Sequence, residues 1–491
     1  MSSRSLTPMV AFVAAAATPF AVANPVDDLL PGHWLEVPNS HLDALDPEDD
    51  PELNPNWPVE APWHGVEGLR GIMDDWSSAA YDTRRNRLVV WGGGHSGYAG
   101  NEVYAFDVNA LRWARLTNPS VVVDYDGTTL YPDGEPRARE TYNYLQYLPA
   151  FDQMMSFGGG NLYPCCVYTT EIAAFDFVTH TWNTTRFAPR PEGGDSFSSI
   201  AAVDDATGHV WFIGGGKNHV VEFDPVANAW TTHTPYYMLL YRNGTIDPLR
   251  RKFVWFGGQG DTTSFDIEAP EAPPAVPPTT GEREIEQVAF PGVAWNPALR
   301  RIVAWGDGTD VYMLDTATWV WTRIAADPGN TVVPTHPNID GTNGRFRYVP
   351  SKDVFVLVNN VDENVFFYRM PTMDIDADGL LDPDDNCRFA ANGPALPDGG
   401  GRSQVDTDHD GIGNACDADI ARPNDCHVNL SDLGALELAF FTIPGGSGWN
   451  PDADFNGDRR VNFLDLAAIK ALFYSDYRAD NPSGIRNACS D

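Results

Sequence analysis

The sequence predicts a mainly β fold made of repeated strand units, followed by acidic calcium-binding loops and a small helical pair. Three observations support this prediction. One strand pattern recurs six times between residues 76 and 370, two runs of alternating aspartates lie within 371–420, and a duplication fills 421–491. The 491 residues are 43% apolar, enough to build a large core, and carry a net charge of −36. This charge argues against nucleic-acid binding, which needs a basic surface.

Residues 1–23 have the features of a secretory signal peptide. Arg4 gives a basic start, the apolar run from Met9 to Ala17 is too short to span a bilayer, and Ala21-Val22-Ala23 is a small-x-small cleavage site. We expect cleavage after Ala23 and a mature protein that is secreted or held at the cell surface, where disulfides form. No later segment predicts a transmembrane helix.

The first copy of the repeat defines the pattern. An apolar strand ends in Gly92-Gly93-Gly94, a second strand ends in Phe106-Asp107, and Trp113 follows. The Asp-to-Trp spacing is six residues in four copies, at 107/113, 176/182, 224/230 and 315/321. The glycines permit close backbone approach, the aspartate can bind its own backbone to start a turn, and the tryptophan can pack between units. The pattern therefore suits a four-stranded blade.

These units resemble kelch repeats, which implies a kelch-type β-propeller of the galactose oxidase-like class over residues 24–370. The sixth copy lacks its last strand, and residues 32–38, around Trp34, match the missing piece. We expect this N-terminal strand to close a six-bladed ring and leave no exposed sheet edge. A seven-bladed propeller, with a further blade in 41–75, is the alternative.

The segment 371–420 is predicted to wrap around Ca²⁺. Its oxygen ligands alternate along the chain and precede a glycine turn, as calcium loops require. The predicted ligands are Asp374, Asp376, Asp378, Asp382, Asp385, Asp406, Asp408, Asp410 and Asp417. These runs resemble thrombospondin type 3 repeats, and the resemblance implies a disulfide between Cys387 and Cys416.

Residues 421–491 contain a 33-residue duplication in which each copy is a loop that enters an amphipathic helix. The second loop offers Asp454, Asn456, Asp458, the backbone carbonyl of Arg460, Asn462 and Asp465 as calcium ligands. This domain resembles a type I dockerin, an EF-hand-like pair, which implies docking to a cohesin-like module.

The first loop departs from that pattern. Ala421 and Pro423 stand where ligands belong, and this leaves Asp425, Asn429 and Asp432, while Arg459 replaces the usual glycine of the second loop. The sequence therefore predicts one calcium site in this domain and leaves the first loop open. Cys426 and Cys489 are placed to join the start of the domain to its end.

One face of the propeller should collect the loops that follow the glycines and the loops between blades. The candidate ligand-binding residues there are His95, Tyr98, Arg137, Arg139, Lys217, His219 and His336. Arginines can hold a carboxylate through two hydrogen bonds, and His and Tyr can act as base and acid, so this set resembles a site for an acid sugar. The alternative is that these loops are polar because they are solvated.

Two functions remain open at this point. The first is a secreted calcium-binding protein whose propeller binds an extracellular glycan or protein, with the tail serving rigidity, attachment or adhesion. The second is a polysaccharide-active enzyme, a lyase, hydrolase or oxidase, that uses the same face. Copper oxidase chemistry needs a Tyr–Cys cofactor for which no motif is present, and Cys165 beside Cys166 favours a disulfide between neighbours.

Overall fold

Six β-sheets form a ring, which confirms the predicted six-bladed β-propeller. The computed structural model describes residues 24–191, 197–475, 477 and 483–484, except for the side chains of 217 and 218. The predicted signal peptide and Cys489 lie outside the described residues. Residues 41–75 form short turns, three 3₁₀ helices and the one-turn helix α1 (Gly71–Asp74), so this part of the chain does not form a seventh blade.

The first three blades each contain four antiparallel strands in chain order, from the centre of the ring outward. Blade 1 comprises β2 (Ser78–Asp82), β3 (Arg87–Trp91), β4 (Tyr104–Asp107) and β5 (Arg112–Arg115). Blade 2 comprises β6 (Leu145–Leu148), β7 (Gln153–Gly159), β8 (Thr169–Asp176) and β9 (Thr181–Asn183). Blade 3 comprises β10 (Ile200–Val203), β11 (Val210–Ile213), β12 (Gly216–Asp224) and β13 (Ala229–Met238).

The other three blades depart from this plan in different ways. Blade 4 has three strands, β14 (Asn243–Asp247), β15 (Lys252–Gly257) and β16 (Gly260–Asp266). Blade 5 has β18 (Gly292–Asn296), β19 (Arg301–Trp305), β20 (Val311–Asp315) and β21 (Val320–Ile324), with the short β17 (Thr280–Gly281) added parallel at its outer edge. Blade 6 has β22 (Phe346–Val349), β23 (Val354–Leu357), β24 (Val365–Tyr368) and, outermost, the N-terminal β1 (Trp34–Val37).

The N-terminal strand completes the sixth blade. Strand β1 pairs antiparallel with β24, with Trp34 opposite Tyr368 and Val37 opposite Val365. Trp34 is 3% exposed, and its indole Nε1 donates a hydrogen bond of 2.8 Å to the Thr309 carbonyl of blade 5. The first strand of the propeller in the described residues thus lies against the last strand and also contacts blade 5.

The core of the propeller lies between blades. Each innermost strand contacts the innermost strand of the next blade around the whole ring. Apolar side chains of adjacent blades form one buried cluster at each of the six interfaces in the described residues. The tryptophans of the aspartate-tryptophan repeat pack at these interfaces. Trp182 of blade 2 lies 4.4 Å from Trp91 of blade 1, and Trp321 of blade 5 lies 4.8 Å from Phe256 of blade 4.

The tail has its own core. Its two helices are α2 (Leu430–Ala439) and α3 (Phe463–Leu472), and each begins with a capping box. Their apolar faces pack with Ile412, Phe455 and Tyr477. Cys387 and Cys416 form the expected disulfide, and Cys426 is also disulfide-bonded, while its predicted partner Cys489 lies outside the described residues. No helix in the described ranges is long and apolar enough to cross a membrane.

Candidate functional site

A repeated backbone conformation marks the mouth of the central channel on the glycine-loop face. Two or three residues before every innermost strand, one residue adopts a positive φ. We call these six residues the collar: Trp76 (46°), Tyr142 (40°), Ser198 (50°), Tyr241 (67°), Phe290 (44°) and Asn343 (51°). A positive φ is strained for a bulky side chain, and such residues concentrate at functional sites.

Hydrogen bonds between neighbouring loops hold the collar. The Tyr142 amide donates to the Trp76 carbonyl at 2.6 Å, the Phe290 amide donates to the Tyr241 carbonyl at 2.8 Å, and the Asn343 amide donates to the Phe290 carbonyl at 3.1 Å. The Tyr241 amide also donates to Ser198 Oγ at 2.6 Å. These bonds join residues of adjacent blades, so packing between blades helps to hold the strained conformation.

The collar presents an aromatic surface. Ring centroids lie 6.4 Å apart for Trp76 and Tyr142, 5.8 Å for Tyr142 and Phe290, and 5.3 Å for Phe290 and Tyr241. Phe197, next to the collar, lies 6.0 Å from Tyr142. Tyr142 and Phe290 form the buried floor, whereas Tyr241 is 51% exposed. A shallow aromatic surface of this kind can stack on a flat apolar ligand face.

His95 lies on this surface and is bound to a buried carboxylate. Its ring stacks on Trp76 at 5.4 Å, and its Nδ1 lies 2.8 Å from Glu140 Oε1. Glu140 is fully buried and also accepts hydrogen bonds from the Tyr142 hydroxyl at 2.9 Å and from Asn161 Nδ2 at 2.7 Å. The His95 side chain is 41% exposed, so a buried network orients a histidine that remains accessible.

Further acidic groups lie on the blade 6 side of His95. Burial raises the pKa of Asp75 to about 9 and that of Asp340 to about 7, and the charges of Glu67 and Glu140 add to both shifts. Asp75 Oδ2 and Asp74 Oδ1 are buried and have no hydrogen-bond partner within the described residues. A protonated carboxyl at Asp75 or Asp340 can donate a hydrogen bond to a ligand hydroxyl.

The two predicted arginines do not reach this surface. Arg137 and Arg139 are both fully buried. Arg137 lies between the rings of Tyr125 and Tyr131, and Arg139 Nε donates to the Arg137 carbonyl at 3.1 Å. Tyr98 is also buried, and its hydroxyl donates to Glu102. These three side chains support the loops, and the structure does not place the arginines where they could hold the carboxylate of an acid sugar.

The remaining predicted ligand-binding residues are dispersed. His219 is exposed on β12 of blade 3, and His336 precedes blade 6, where its Nδ1 lies 2.8 Å from Asp307. The Lys217 side chain lies outside the described residues. Of the predicted set, His95 is therefore the residue that joins the collar.

The loop beside His95 carries the expected disulfide between neighbouring cysteines, Cys165 and Cys166. Ser96 donates a hydrogen bond to the Pro164 carbonyl, and the Leu162 amide donates to the Val167 carbonyl at 2.9 Å. The disulfide thus lies in a closed loop that is tied to the His95 loop.

Three acidic loops of the tail share one geometry. In each loop the sixth residue has a positive φ, 93° at Gly379, 94° at Gly411 and 67° at Arg459. The amide of that residue donates to the first aspartate of its loop, Asp374, Asp406 or Asp454, at 3.0, 3.1 and 2.9 Å. Arg459 therefore adopts the backbone conformation that glycine usually supplies.

The side chains of these loops fit a hard cation. Carboxylate oxygens of Asp374, Asp376 and Asp378 lie within 4.8 Å of one another, as do those of Asp406, Asp408 and Asp410. Asp376 Oδ2 and Asp454 Oδ1 are buried without a hydrogen-bond partner in the described residues. Burial, together with neighbouring carboxylates, raises the pKa of Asp376 to about 7 and that of Asp454 to about 6. Crowded carboxylate oxygens are what calcium loops require. In the second loop, Arg422 Nη1 lies 3.3 Å from Asp408 Oδ2.

The other predicted ligands surround these loops. Asp382 Oδ1 accepts from the Ile375 amide at 3.0 Å, and Asp385 and Asp417 are buried. Asn462 caps α3, and Asp465 completes that capping box. Asp458 Oδ1 accepts from the Arg460 amide at 2.9 Å. Asn456 Oδ1 accepts from the Asp458 amide at 3.0 Å.

The first loop of the duplication differs from the sequence interpretation. Cys426 has a φ of 68° and donates through its amide to Asp419 Oδ2 at 2.6 Å, as Arg459 does to Asp454. Asp419 thus takes the first position of the loop, two residues before Ala421, and interacts with Asp432. An alignment with a constant 33-residue offset misses Asp419 because this loop has two additional residues.

Sequence reasoning also missed the collar, Glu140 and Asp340. The sequence pattern that marks the collar is weak. It is an aromatic residue shortly before an innermost strand, as in Trp76-Ser77-Ser78 and Phe197-Ser198-Ser199. Spacing from the glycines varies between blades, so alignment on the glycine runs does not bring these residues into register.

Comparison with known proteins adds no family assignment, because no protein family model and no curated protein matches the chain.

Proposed function

We propose that this is a secreted protein whose propeller binds an extracellular glycan at the collar, and whose tail is ordered by Ca²⁺. The observation that carries the proposal is the aromatic collar, with the His95–Glu140 pair and two carboxyls of raised pKa beside it. Aromatic rings offer apolar surfaces to sugar rings, while the carboxyl, imidazole and amide groups offer partners to hydroxyls.

The charge of the site favours neutral or amino sugars over uronates. Asp74, Asp75, Glu67, Glu140 and Asp340 influence one another electrostatically, and the accessible arginines expected from the sequence are absent from this part of the described face. A carboxylate ligand would meet like charge, which opposes binding. An ammonium group or an uncharged hydroxyl would not.

A glycan array probed with the full chain tests this proposal. We expect signals for neutral or amino glycans, and Tyr241→Ala and Trp76→Ala should each weaken binding of the best array ligand at least tenfold, as loss of an aromatic hot spot does. The matched control is Tyr474→Ala in the tail, where the exposed ring is far along the chain from the collar. Equal affinity of all three variants and wild type would contradict glycan binding at the collar.

An enzymatic role at the same surface is the second candidate. The observation that favours it is the accessible His95 held by Glu140. The charge of Glu140 also acts on Asp340, whose pKa of about 7 suits proton transfer at neutral pH. In such an enzyme Asp340 would donate a proton to a leaving oxygen. Release of reducing ends from the best array ligand, abolished by Asp340→Asn with binding retained, would support catalysis. Binding without any product release would favour the binding protein.

Calcium binding rests on the shared geometry of the acidic loops. We infer that Asp374, Asp376 and Asp378 hold one ion, that Asp406, Asp408 and Asp410 hold a second, and that the loop beginning at Asp454 holds a third. The cation would supply charge neutralisation for the crowded carboxylates. Calorimetric titration of the full chain with Ca²⁺ should lose one site in Asp376→Asn, whereas Asp28→Asn, an exposed aspartate of the propeller, should leave the stoichiometry unchanged.

The resemblance of the tail to dockerins suggests an attachment role. On this proposal the calcium-ordered tail holds the propeller at a distance from a cohesin-like module or a surface. Exposed apolar side chains on and near its helices, including Leu438, Phe441 and Phe463, offer a contact surface.

A further inference from the structure

The central channel contains a cavity on the face opposite the collar. Its volume is about 190 Å³, and its walls come from innermost strands of five blades. Thr83, Pro149 and Asp205, in turns between first and second strands, form an exposed rim, so the cavity opens to solvent on that face. We call it the lower well.

Side chains close the well toward the collar. Asn143 Nδ2 donates to Asn243 Oδ1 at 2.5 Å, and Asn243 Nδ2 donates to the Asn343 carbonyl at 2.8 Å. Arg347 Nη2 donates to Asn143 Oδ1 at 2.9 Å. The channel is therefore not continuous, and a ligand in the well would not reach the collar.

Arg347 is the cationic group that lines the well, and Asp205 is the carboxylate at its rim. Its Nε and Nη2 are bound to the Ala79 carbonyl at 3.1 and 2.8 Å, whereas Nη1 has no acceptor among the described residues. No carboxylate in the described residues forms an ion pair with Arg347, and burial alone lowers its pKa to about 10. Arg345, two residues earlier, differs because Asp74 and Asp340 act on it.

A guanidinium that lines an open cavity and forms no ion pair with a carboxylate of the described residues is an arrangement that binds anions. The walls beside it include the aromatic rings of Tyr81 and Tyr147 and the hydroxyl-bearing Thr245. One cation matches one negative charge, and Asp205 at the rim disfavours a second. A cavity of about 150 Å³ holds a benzene molecule, so the well can hold a single six-membered ring.

We propose that the lower well binds a small organic monocarboxylate through Arg347 Nη1, with the size of a single hexuronate or a benzoate. This site is separate from the collar, and the proposal does not depend on glycan binding there. Inorganic phosphate also offers anionic oxygens to a guanidinium. Its dianionic form carries two negative charges, however, and one guanidinium balances only one of them.

Calorimetric titration of the full chain with glucuronate tests the proposal, with glucose and inorganic phosphate as the other arms. We expect glucuronate to bind at least tenfold more tightly than glucose or phosphate. Arg347→Gln should reduce glucuronate affinity at least tenfold. Thr245→Phe, which fills the well and leaves Arg347 in place, should do the same if the variant melts like wild type.

The matched control is Arg84→Gln, which removes an exposed positive charge beside the rim residue Thr83. It should bind glucuronate like wild type. Binding of glucuronate that survives both Arg347→Gln and Thr245→Phe would overturn the assignment of the site. Equal affinities for glucuronate and glucose, or tighter binding of phosphate, would overturn the assignment of the ligand class.

Discussion

Asp75 and Arg347 are two ionisable groups that burial affects strongly and that have no ion-pair partner in the described residues. Burying an ionised group without a partner is costly, so the group shifts its pKa or meets a ligand. Asp75 has a pKa of about 9 and holds a proton at neutral pH, whereas Arg347, with a pKa of about 10, keeps its charge. At the residue scale, the first is suited to donating a hydrogen bond and the second to holding an anion.

Asp75→Asn is expected to stabilise the protein at pH 8 and to have little effect at pH 4. Burial raises the pKa of Asp75 in the folded state, so the folded chain retains a proton that the unfolded chain releases above about pH 4. The free energy of unfolding that the Asp75 carboxyl contributes therefore falls as the pH rises toward 9. The asparagine variant does not titrate and lacks this pH dependence.

Urea unfolding at the two pH values measures this effect. We expect a gain of at least about 1.4 kcal/mol at pH 8, the equivalent of one pKa unit. The control Asp28→Asn changes an exposed aspartate and should shift neither midpoint. If Asp75→Asn destabilises the protein at pH 8, the carboxyl is ionised and has a partner.

At the element scale, the aspartate-tryptophan hairpin is the best-predicted part of the fold. Asp107 Oδ1 accepts from the amides two and three residues later at 2.9 Å, and Phe106 lies opposite Trp113 across the hairpin. This turn depends on local residues, so the sequence pattern predicts it. Blade 4 lacks the tryptophan and correspondingly lacks the fourth strand; Ala275 alone bridges to Ser264 at that edge.

The collar could not be predicted in the same way. Its residues acquire their conformation from hydrogen bonds between blades, such as that from the Tyr142 amide to the Trp76 carbonyl. The long loop between blades 1 and 2 likewise folds so that Tyr125 and Tyr131 pack against Arg137, while Arg139 packs over Trp91 of blade 1. The local sequence specifies the strands and turns of each blade, but packing between distant parts of the chain determines which loop residues reach the surface.

Trp34→Ala is expected to destabilise the propeller by about 3–5 kcal/mol, the usual cost of removing a large buried aromatic side chain. Trp34 packs 4.8 Å from Tyr368 and 6.3 Å from Trp305, so its loss opens a cavity between blades 5 and 6. Urea unfolding followed by circular dichroism measures the change. Trp57→Ala, at a ring that is 54% exposed, is the control and should cost little. Equal midpoints for both variants would show that β1 does not stabilise the ring.

At the scale of the whole molecule, the propeller and the tail obtain their stability by different means. The propeller has apolar clusters at each interface between blades. Residues 371–419 contain twelve aspartates and two arginines, with few apolar residues. Such a segment repels itself unless a cation neutralises it.

Chelation should therefore unfold the tail and leave the propeller intact. Hydrogen exchange with and without EDTA measures both parts in one sample. We expect protection of 371–475 to fall with EDTA, since a ligand at 100 times its Kd contributes about 2.7 kcal/mol, while protection of the strands within 78–368 remains. Equal exchange of the tail in both conditions would contradict calcium as its organiser.

The most direct test of the central claim, ligand recognition at the collar, is a crystal structure of the full chain with the best oligosaccharide from the array. We predict a sugar ring stacked on Trp76 or Tyr241, with a hydroxyl within hydrogen-bond distance of His95. An oligosaccharide bound on the outer blade surfaces, in the lower well or on the tail, with the collar empty, would contradict this account.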